Sequence, residues 1–391
     1  MKILFLAPQP FFQERGTPIA VRLALQVLAK RNNQVDFVTY HEGQDYKIDN
    51  INHIRACIPK FIKKVAPGIS LKKIICDLFF TITVLKLVFF SKEKYSVIHS
   101  VEESVFIALI IKWIKKIPYI YDMDSSLSMQ ITEKWTLLKP LQGFLDFFEK
   151  MAIKNSVAVV PVCDALQIIA ESRGAKDTQI LRDISLLEKP NFSSEKNLKK
   201  IINCSNDDLL IVYIGNLESY QGIDLLIDSF SIAYQGHQQS QLVIIGGSEE
   251  HIKFYKDKSK KLNISDRVHL IGPLPVSDLS TYLLQADILA SPRTKGNNTP
   301  MKIYSYLHSG KVVIATNLPT HTQVMDKTVS MLAEPNSEDF GNKLLELLEN
   351  KNLRENLGNA AFQLAEEKYT FKVFERDLNS LYERLIDSNA I

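Results

Sequence analysis

The chain has 391 residues, 46% of them hydrophobic, and a formal charge of +3 from 47 Lys and Arg against 44 Asp and Glu. That balance excludes a small domain, a disordered tail or a compact nucleic-acid module, and at this length it favours two globular domains of roughly 150 to 200 residues each. The four cysteines, Cys57, Cys76, Cys163 and Cys204, form no C-x-x-C unit, which argues against a disulfide framework or a structural zinc and for reduced, buried thiols.

The apolar residues 3–7 predict a strand that Pro8 ends before a signal-peptide core could form, so a cytoplasmic protein is expected. A polar loop over 9–17, a helix over 18–30 and a strand over 35–38 follow. Further strands are predicted at 95–99, 118–121 and 157–162. This βα repetition implies a mainly parallel sheet.

Residues 74–90 hold 13 apolar side chains in 17 positions, interrupted by Asp77 and Lys86. The run falls short of the roughly 20 residues needed to span a bilayer. A second apolar run, 105–114, ends in Lys115 and Lys116, and the window 51–116 carries 12 basic residues against 4 acidic ones. Two readings stand: buried helices of the first sheet with solvated lysines at their ends, or an amphipathic surface resting on an anionic membrane. Residues 1–190 carry 26 basic and 19 acidic side chains, and residues 191–391 carry 21 and 25.

The polar stretch 188–206 reads as a linker between a first domain over 1–187 and a second over 207–370, with a last helix over 371–388. In the second domain, strands are predicted at 209–214, 241–245, 268–271, 288–290 and 312–315, and helices at 223–233, 276–286 and 300–309. That is a second doubly wound α/β unit, whose ligands belong beyond the carboxyl ends of its strands.

Between the strand at 209–214 and the next helix, Gly215 and Gly222 let backbone N–H groups approach an anion or simply make a tight turn. In the segment 291–302, Thr299 suits an N-cap and Pro300 a first helical position. Arg293, Lys295 and Lys302 then lie where three cations and free N–H groups converge on phosphates; the alternative is a solvated basic loop.

The order G-x-L-x-x-x-Q-G-x-D-x-L, L-V-I-I-G-G, V-H-L-I-G-P-L-P, A-D-I-L-A-S-P-R and P-M-K-I-Y-S-Y-L-H-S-G-K-V-V-I-A-T resembles the retaining GT-B glycosyltransferases of the family 4 type, over nearly the whole chain. The resemblance implies two Rossmann-like domains facing a central cleft. A nucleotide sugar would bind the second domain and the acceptor the first, and the last helix would cross back.

The family has an arginine after the first glycine and a lysine before the second; these positions are Asn216 and Gln221 here. Its two glutamates eight apart fall at Asn297 and Ser305, which would hydrogen-bond ribose or sugar hydroxyls as neutral groups. Arg293, Lys295 or Lys302 is expected to replace the missing cations, with backbone donors from 297–301, among them Asn298, Thr299 and Met301. The turns carrying Gly247 and Gly272-Pro273 would wall the base, as uracil or guanine.

In the first domain the resemblance points to Gly16, Thr17 and Arg15 at the first loop. Asp124 falls where related enzymes often carry a histidine, and would accept the acceptor hydroxyl's proton. Asp122, two residues earlier, is expected to be structural. The segment from His99 to Glu103 either lines the acceptor side or is an ordinary turn, and His321 is equally open. No His, Asp or Cys spacing demands a metal, and no cofactor is expected besides a UDP- or GDP-sugar as donor substrate.

The function implied is a retaining hexosyl or glycosyl transferase acting on a hydroxyl acceptor, lipid-linked glycan or glycolipid, in surface polysaccharide assembly. It would be cytoplasmic, at most peripheral on the inner face of the cell membrane, with no nucleic-acid partner. The rival readings are a nucleotide-sugar epimerase or phosphorolytic enzyme of the same architecture, and a catalytically degenerate partner subunit that binds a glycan or another transferase.

Overall fold

The computed structural model describes all residues except 12–15, 46, 60–61, 64, 66–69, 91–93, 189, 191 and 297. Two compact units divide the chain: Met1–Arg182 with Phe374–Ile391, and Asp183–Val373.

The first unit runs β1 (Lys2–Leu6), α1 (Gly16–Lys30), β2 (Gln34–Thr39), β3 (Ile51–Arg55), α2 (Leu71–Phe90), β4 (Val97–Val101), α3 (Ser104–Lys115), β5 (Tyr119–Met123), α4 (Leu127–Lys134), α5 (Gln142–Asn155), β6 (Ala158–Pro161) and α6 (Asp164–Ser172). The second runs α7 (Leu198–Ile201), β7 (Leu209–Ile214), α8 (Ile223–Gly236), β8 (Ser240–Ile245), α9 (Glu249–Lys261), β9 (Val268–Gly272), α10 (Leu279–Leu283), β10 (Ile288–Ser291), α11 (Lys302–His308), β11 (Val312–Thr316), α12 (Pro319–Thr322), β12 (Met331–Ala333), α13 (Ser337–Glu349) and α14 (Lys351–Lys368). The final helix, α15 (Phe371–Asp387), packs on the first unit.

Both sheets are parallel. Their orders are β3-β2-β1-β4-β5-β6 and β12-β11-β10-β7-β8-β9, the same doubly wound arrangement. The strand order reverses between β1 and β4 in one sheet and between β7 and β10 in the other. Loops leaving those four strands therefore diverge and open a crevice at the carboxyl edge.

The central strands are buried on both faces because helices cover both sides of a parallel sheet; β4 and β11 are buried at every position. Edge strands lack that signature. In β3 (Ile-Asn-His-Ile-Arg) no residue is fully buried, and β12 has three residues, so neither was foreseen.

Four sequence expectations change. Residues 188–206 are no free linker: Glu188 N–H donates to Ser280 Oγ at 2.9 Å, Lys196 pairs with Asp278 at 2.6 Å and Leu198 is fully buried, so the stretch belongs to the second unit. Its polar side chains find partners there, which composition alone does not show. Cys57 is exposed, while Cys76 and Cys163 are buried; all four thiols are free. The helix foreseen at 276–286 is a 3-10 turn followed by the five residues of α10.

The helix foreseen at 300–309 starts at Lys302. The Pro300 carbonyl accepts from Ile303 N–H, an i→i+3 bond that keeps the entry a tight turn, and the capping position falls on Met301 instead of Thr299.

Helix α2 is amphipathic. Cys76, Phe80, Val84 and Val88, spaced four apart, face the core. The opposite face leaves Leu71, Ile74, Leu78 and Phe90 exposed.

Candidate active site

In the second unit the loops after β7 and β10 meet. Gly222 lies in the left-handed region, φ +75°, and a Cβ there would sit 1.9 Å from the Pro292 carbonyl oxygen. Only glycine fits. Thr294 N–H also donates to the Tyr220 carbonyl at 2.9 Å, so residues 219–222 and 292–294 are held against each other.

Lys302 reaches into this junction from the first turn of α11. Its Nζ stands 3.7 Å from the Tyr213 ring centroid and donates to Gln221 Oε1 at 3.4 Å. At Gly215, a Cβ would come within 3.1 Å of the same Nζ, so glycine keeps the ammonium open to whatever occupies the loop. Arg293 lies over the Tyr220 ring at 5.2 Å and donates to the carbonyls of Lys295 (2.7 Å) and Asn298 (3.1 Å).

Among the described residues neither cation pairs with a carboxylate. Burial pushes the Lys302 ammonium well below its usual pKa, and the charge on Arg293 lowers it further; burial likewise lowers Arg293. Two desolvated like charges with only π-faces and amide oxygens as partners are costly by themselves. In the same loop the buried Thr299 Oγ1 has no hydrogen-bond partner among the described residues. An anion with several acceptor oxygens answers both defects, as a diphosphate does.

Gly215, Gln221, Gly222, Arg293 and Lys302 are thus brought together. Lys295 is exposed and contributes its carbonyl to Arg293; Asn298 does the same and also accepts from Thr320 Oγ1 at 2.7 Å. Asn216 is exposed, its carbonyl accepting from the Tyr213 hydroxyl at 2.6 Å. Gly247 follows β8 and Gly272-Pro273 stand at the end of β9, the strands beyond β7, and Gly246 N–H donates to the Gly272 carbonyl at 2.8 Å. Ser305 is buried and its oxygen accepts from Leu186 N–H at 3.0 Å, which leaves it one proton to donate. Asn297 and Arg15 lie outside the described residues.

His321 resolves as scaffold. It is fully buried between Ser291 Oγ (2.8 Å) and Thr316 (Oγ1 at 3.0 Å), and burial lowers its pKa to about 3, so the neutral ring ties β10 to β11.

In the first unit, Gly16 and Thr17 open α1. Asp124 follows β5 directly and is half-buried. The adjoining loop is held by Glu149, which is 1% exposed and accepts from Ser126 Oγ (3.0 Å), Leu127 N–H (3.0 Å) and Ser128 Oγ (2.6 Å). Arg173 neutralises it and pairs with Asp146 at 2.5 Å.

Asp122 is structural: its carboxylate meets His99 Nε2 at 3.2 Å, and His99 Nδ1 meets the Tyr382 hydroxyl of α15 at 2.9 Å. His99 is fully buried and stacked on Phe5. It therefore anchors the last helix and does not line a site.

The neighbouring Glu102 behaves differently. At φ +50° it is, among the described residues, the one left-handed non-glycine that is neither an asparagine nor the cap of a helix, a backbone state that costs roughly 1 kcal/mol or more. Its carboxylate accepts from Ser125 Oγ at 2.9 Å, while the nearby Lys73 pairs with Glu103. Burial, reinforced by Asp122 and Glu149, pushes Glu102 up to about 8. Strain and a perturbed carboxyl at the β1/β4 reversal single Glu102 out as a candidate position. The sequence offered it only as part of the 99–103 segment, because left-handed backbone at a glutamate leaves no compositional trace. Tyr213 and Tyr220 were also missed, hidden as ordinary apolar-run and loop residues.

Residues 194–364 match the family model described as glycosyl transferases group 1. An uncharacterised glycosyltransferase of Methanocaldococcus jannaschii is 21% identical, over 79% of this chain and 74% of that protein. The capsular polysaccharide biosynthesis glycosyltransferase CapM of Staphylococcus aureus is 22% identical, over 64% of this chain and 68% of its own. Among solved structures, HepE of Anabaena in complex with UDP matches with a TM-score of 0.74 at 14% identity, covering 98% of this chain and 100% of that one.

Proposed function

We propose that this chain, a GT-B glycosyltransferase of the glycosyl transferases group 1 type, moves a sugar from a nucleoside-diphosphate donor to a hydroxyl acceptor with retention of the anomeric configuration. The carrying observation is the desolvated, carboxylate-free pair Arg293 and Lys302 at the β7/β10 reversal. As the bond between the anomeric carbon and the β-phosphate oxygen breaks, negative charge grows on the leaving diphosphate. The two cations, Thr299 Oγ1 and nearby N–H groups are fixed beforehand to offset it, which is the effective form of electrostatic catalysis. They stand in for the family's cations absent at Asn216 and Gln221; Gln221 here orients Lys302 by accepting from it.

Asp124 is assigned to the acceptor hydroxyl, accepting its hydrogen bond and proton as the new glycosidic bond forms. Ser305 and Asn297 are assigned to donor hydroxyls, Gly247, Gly272 and Pro273 to the base, and Gly16 and Thr17 to the donor-facing loop. Among the described residues no His, Cys, Asp or Glu group is arranged to hold a metal; cationic side chains are assigned that role.

The acceptor is proposed to be lipid-linked, in glycoconjugate or capsular polysaccharide assembly; capsular polysaccharide biosynthesis is what the name of CapM states. Support comes from the exposed apolar face of α2 and the lysines around it; no described helix is long and apolar enough to cross a membrane. The protein would then sit peripherally on the inner face of the cell membrane, and failure to float with anionic liposomes at low salt would remove that placement.

Titration with UDP and with GDP tests the central reading. Saturable binding of one of them, lost in Arg293→Ala with Lys302→Ala, is expected. Absence of binding to both at millimolar concentration favours a degenerate glycan- or transferase-binding subunit, and an epimerised donor in acceptor-free product analysis favours the epimerase reading.

A further inference from the structure

One cavity of the first unit is not used by any step above. About 450 Å³ in volume, it opens between α3, α4 and α5. Leu109, Ile110 and Trp113 of α3, Ile131 of α4, and Leu145 and Phe148 of α5 line it. Ile110 is 44% and Trp113 51% exposed, so the mouth is as apolar as the floor.

The polar groups at its base are Ser128 and Glu149, which are bonded to each other and to Arg173. Their hydrogen-bonding capacity is turned inward, and what remains for a ligand is hydrocarbon wall. A cavity of this size and lining takes an apolar chain.

Charge and position narrow the occupant. Helix α3 ends in Lys112, Lys115 and Lys116, and among the described residues none of these pairs with a carboxylate; Lys112 donates to the Asn155 carbonyl and Lys115 lies over Phe89. Two acidic residues of α5, Glu149 in the lining and Asp146 beside it, share the single guanidinium of Arg173, which leaves one negative charge against the three lysines. The surroundings are therefore net basic, which a neutral alkane does not exploit and an anionic amphiphile does. Helix α4, one wall of the cavity, begins three residues after Asp124, so a chain lying in it runs up to the loop assigned to the acceptor hydroxyl.

We propose that the cavity between α3, α4 and α5 seats the hydrocarbon chain of an anionic, lipid-linked acceptor. This rests on Asp124 marking the acceptor end of the transferase described above, and it adds the class of acceptor: an amphiphile whose chain is recognised by protein and is not left in the bilayer.

Trp113 and Trp135 are the only tryptophans of the chain, so Trp135→Phe leaves a single indole, at the cavity. That variant is titrated with an omega-brominated dodecyl phosphate below its micelle concentration, because bromine quenches an indole it touches. Saturable quenching is expected. Ile110→Glu, which sets a carboxylate against the chain, should weaken it about tenfold or more; Ile114→Glu, on an exposed position outside the cavity, should leave it within about twofold. Absence of saturable quenching, or equal loss in both variants, overturns the proposal. So does quenching by brominated phospholipid vesicles alone, which makes the bilayer surface the occupant, or chain binding accompanied by dimerisation, which makes it a second copy. UDP titration of the same variants reads the second unit separately: intact UDP binding without chain binding is failure of this inference only.

Discussion

Replacing Lys302 with methionine should shift ligand affinity and stability in opposite directions. The ammonium lies 3.7 Å from the Tyr213 ring centroid and 3.4 Å from Gln221 Oε1, with no carboxylate partner among the described residues. Burial makes the charged form unfavourable in the folded chain and depresses the pKa. The unfolded chain, with a lysine pKa near 10.4, then binds the proton more readily, so stability rises with pH from the depressed folded value up to about 10.4. Methionine keeps an apolar stem of similar reach and removes the titration. The variant loses a cation–π contact of about 0.5–2 kcal/mol and a desolvated charge whose cost is of the same order or larger, so at neutral pH it should be as stable as the parent or more so, and its melting temperature should lack the alkaline rise. A charge-assisted contact to diphosphate is worth about 1.5–3 kcal/mol, so UDP or GDP should bind about 10- to 150-fold more weakly. Isothermal titration with both nucleotides and melting curves from about pH 6 to about pH 10 read the two effects. Nucleotide affinity within twofold of the parent, or a neutral-pH melting temperature lower by many degrees, would refute the anion-site reasoning.

Gly222→Ala should cost more than about 2 kcal/mol, about 4–8 °C in melting temperature for a unit of this size, because a Cβ would strike the Pro292 carbonyl at a positive φ; nucleotide binding should fall with it, and an unchanged melting curve would disprove the contact. Glu102→Gln should lower transfer without weakening UDP or GDP binding. The folded carboxyl is raised to about 8, so its stabilising contribution is complete below the unfolded value near 4.3 and is lost as pH climbs through about 8; the variant's stability relative to the parent should grow across that window, and a pH-independent difference contradicts the assignment. Glu149→Gln leaves Arg173 with Asp146 alone, and breaking so buried a pair should cost about 3–5 kcal/mol, read as a lower denaturant midpoint and faster proteolysis near residues 124–134.

Central strands were legible because a parallel sheet buries both faces and leaves short apolar runs such as Leu209–Ile214. The edge strand β3 carries Asn52, His53 and Arg55 and gave no such run. At the site, Arg293 and Lys302 could be picked out as basic residues at a strand-to-helix junction, but the closeness of Lys302 to Tyr213 and Gln221 depends on a crossover between β7 and β10, a contact 81 residues apart in sequence for Gln221. The segment from His99 to Glu103 shows the limit most clearly. Alternation places neighbouring side chains on opposite faces, yet what separates the scaffold His99 from the half-buried Glu102 is the reversal of the backbone at φ +50°, which no residue type in the segment announces.

The charge of each half, read alone, points the wrong way. Residues 1–190 are the basic half and 191–391 the acidic half, whereas the carboxyl edge of the first sheet carries Glu102 and Asp124 and that of the second carries Arg293 and Lys302. Net charge is a property of surfaces, and functional charge is a property of the few positions where a doubly wound sheet opens. Exposed lysines of the first half, Lys72, Lys86, Lys115 and Lys116, lie instead on α2 and at the end of α3, alongside exposed Leu71, Leu78, Phe90, Trp113 and Ile114. An apolar face rimmed by lysines attracts an anionic interface, and carboxylates at the strand ends attract hydroxyls. A lipid-linked sugar presents both chemistries in one molecule, which is why the acceptor class is better tested at Ile110 and Trp113 than inferred from the total charge.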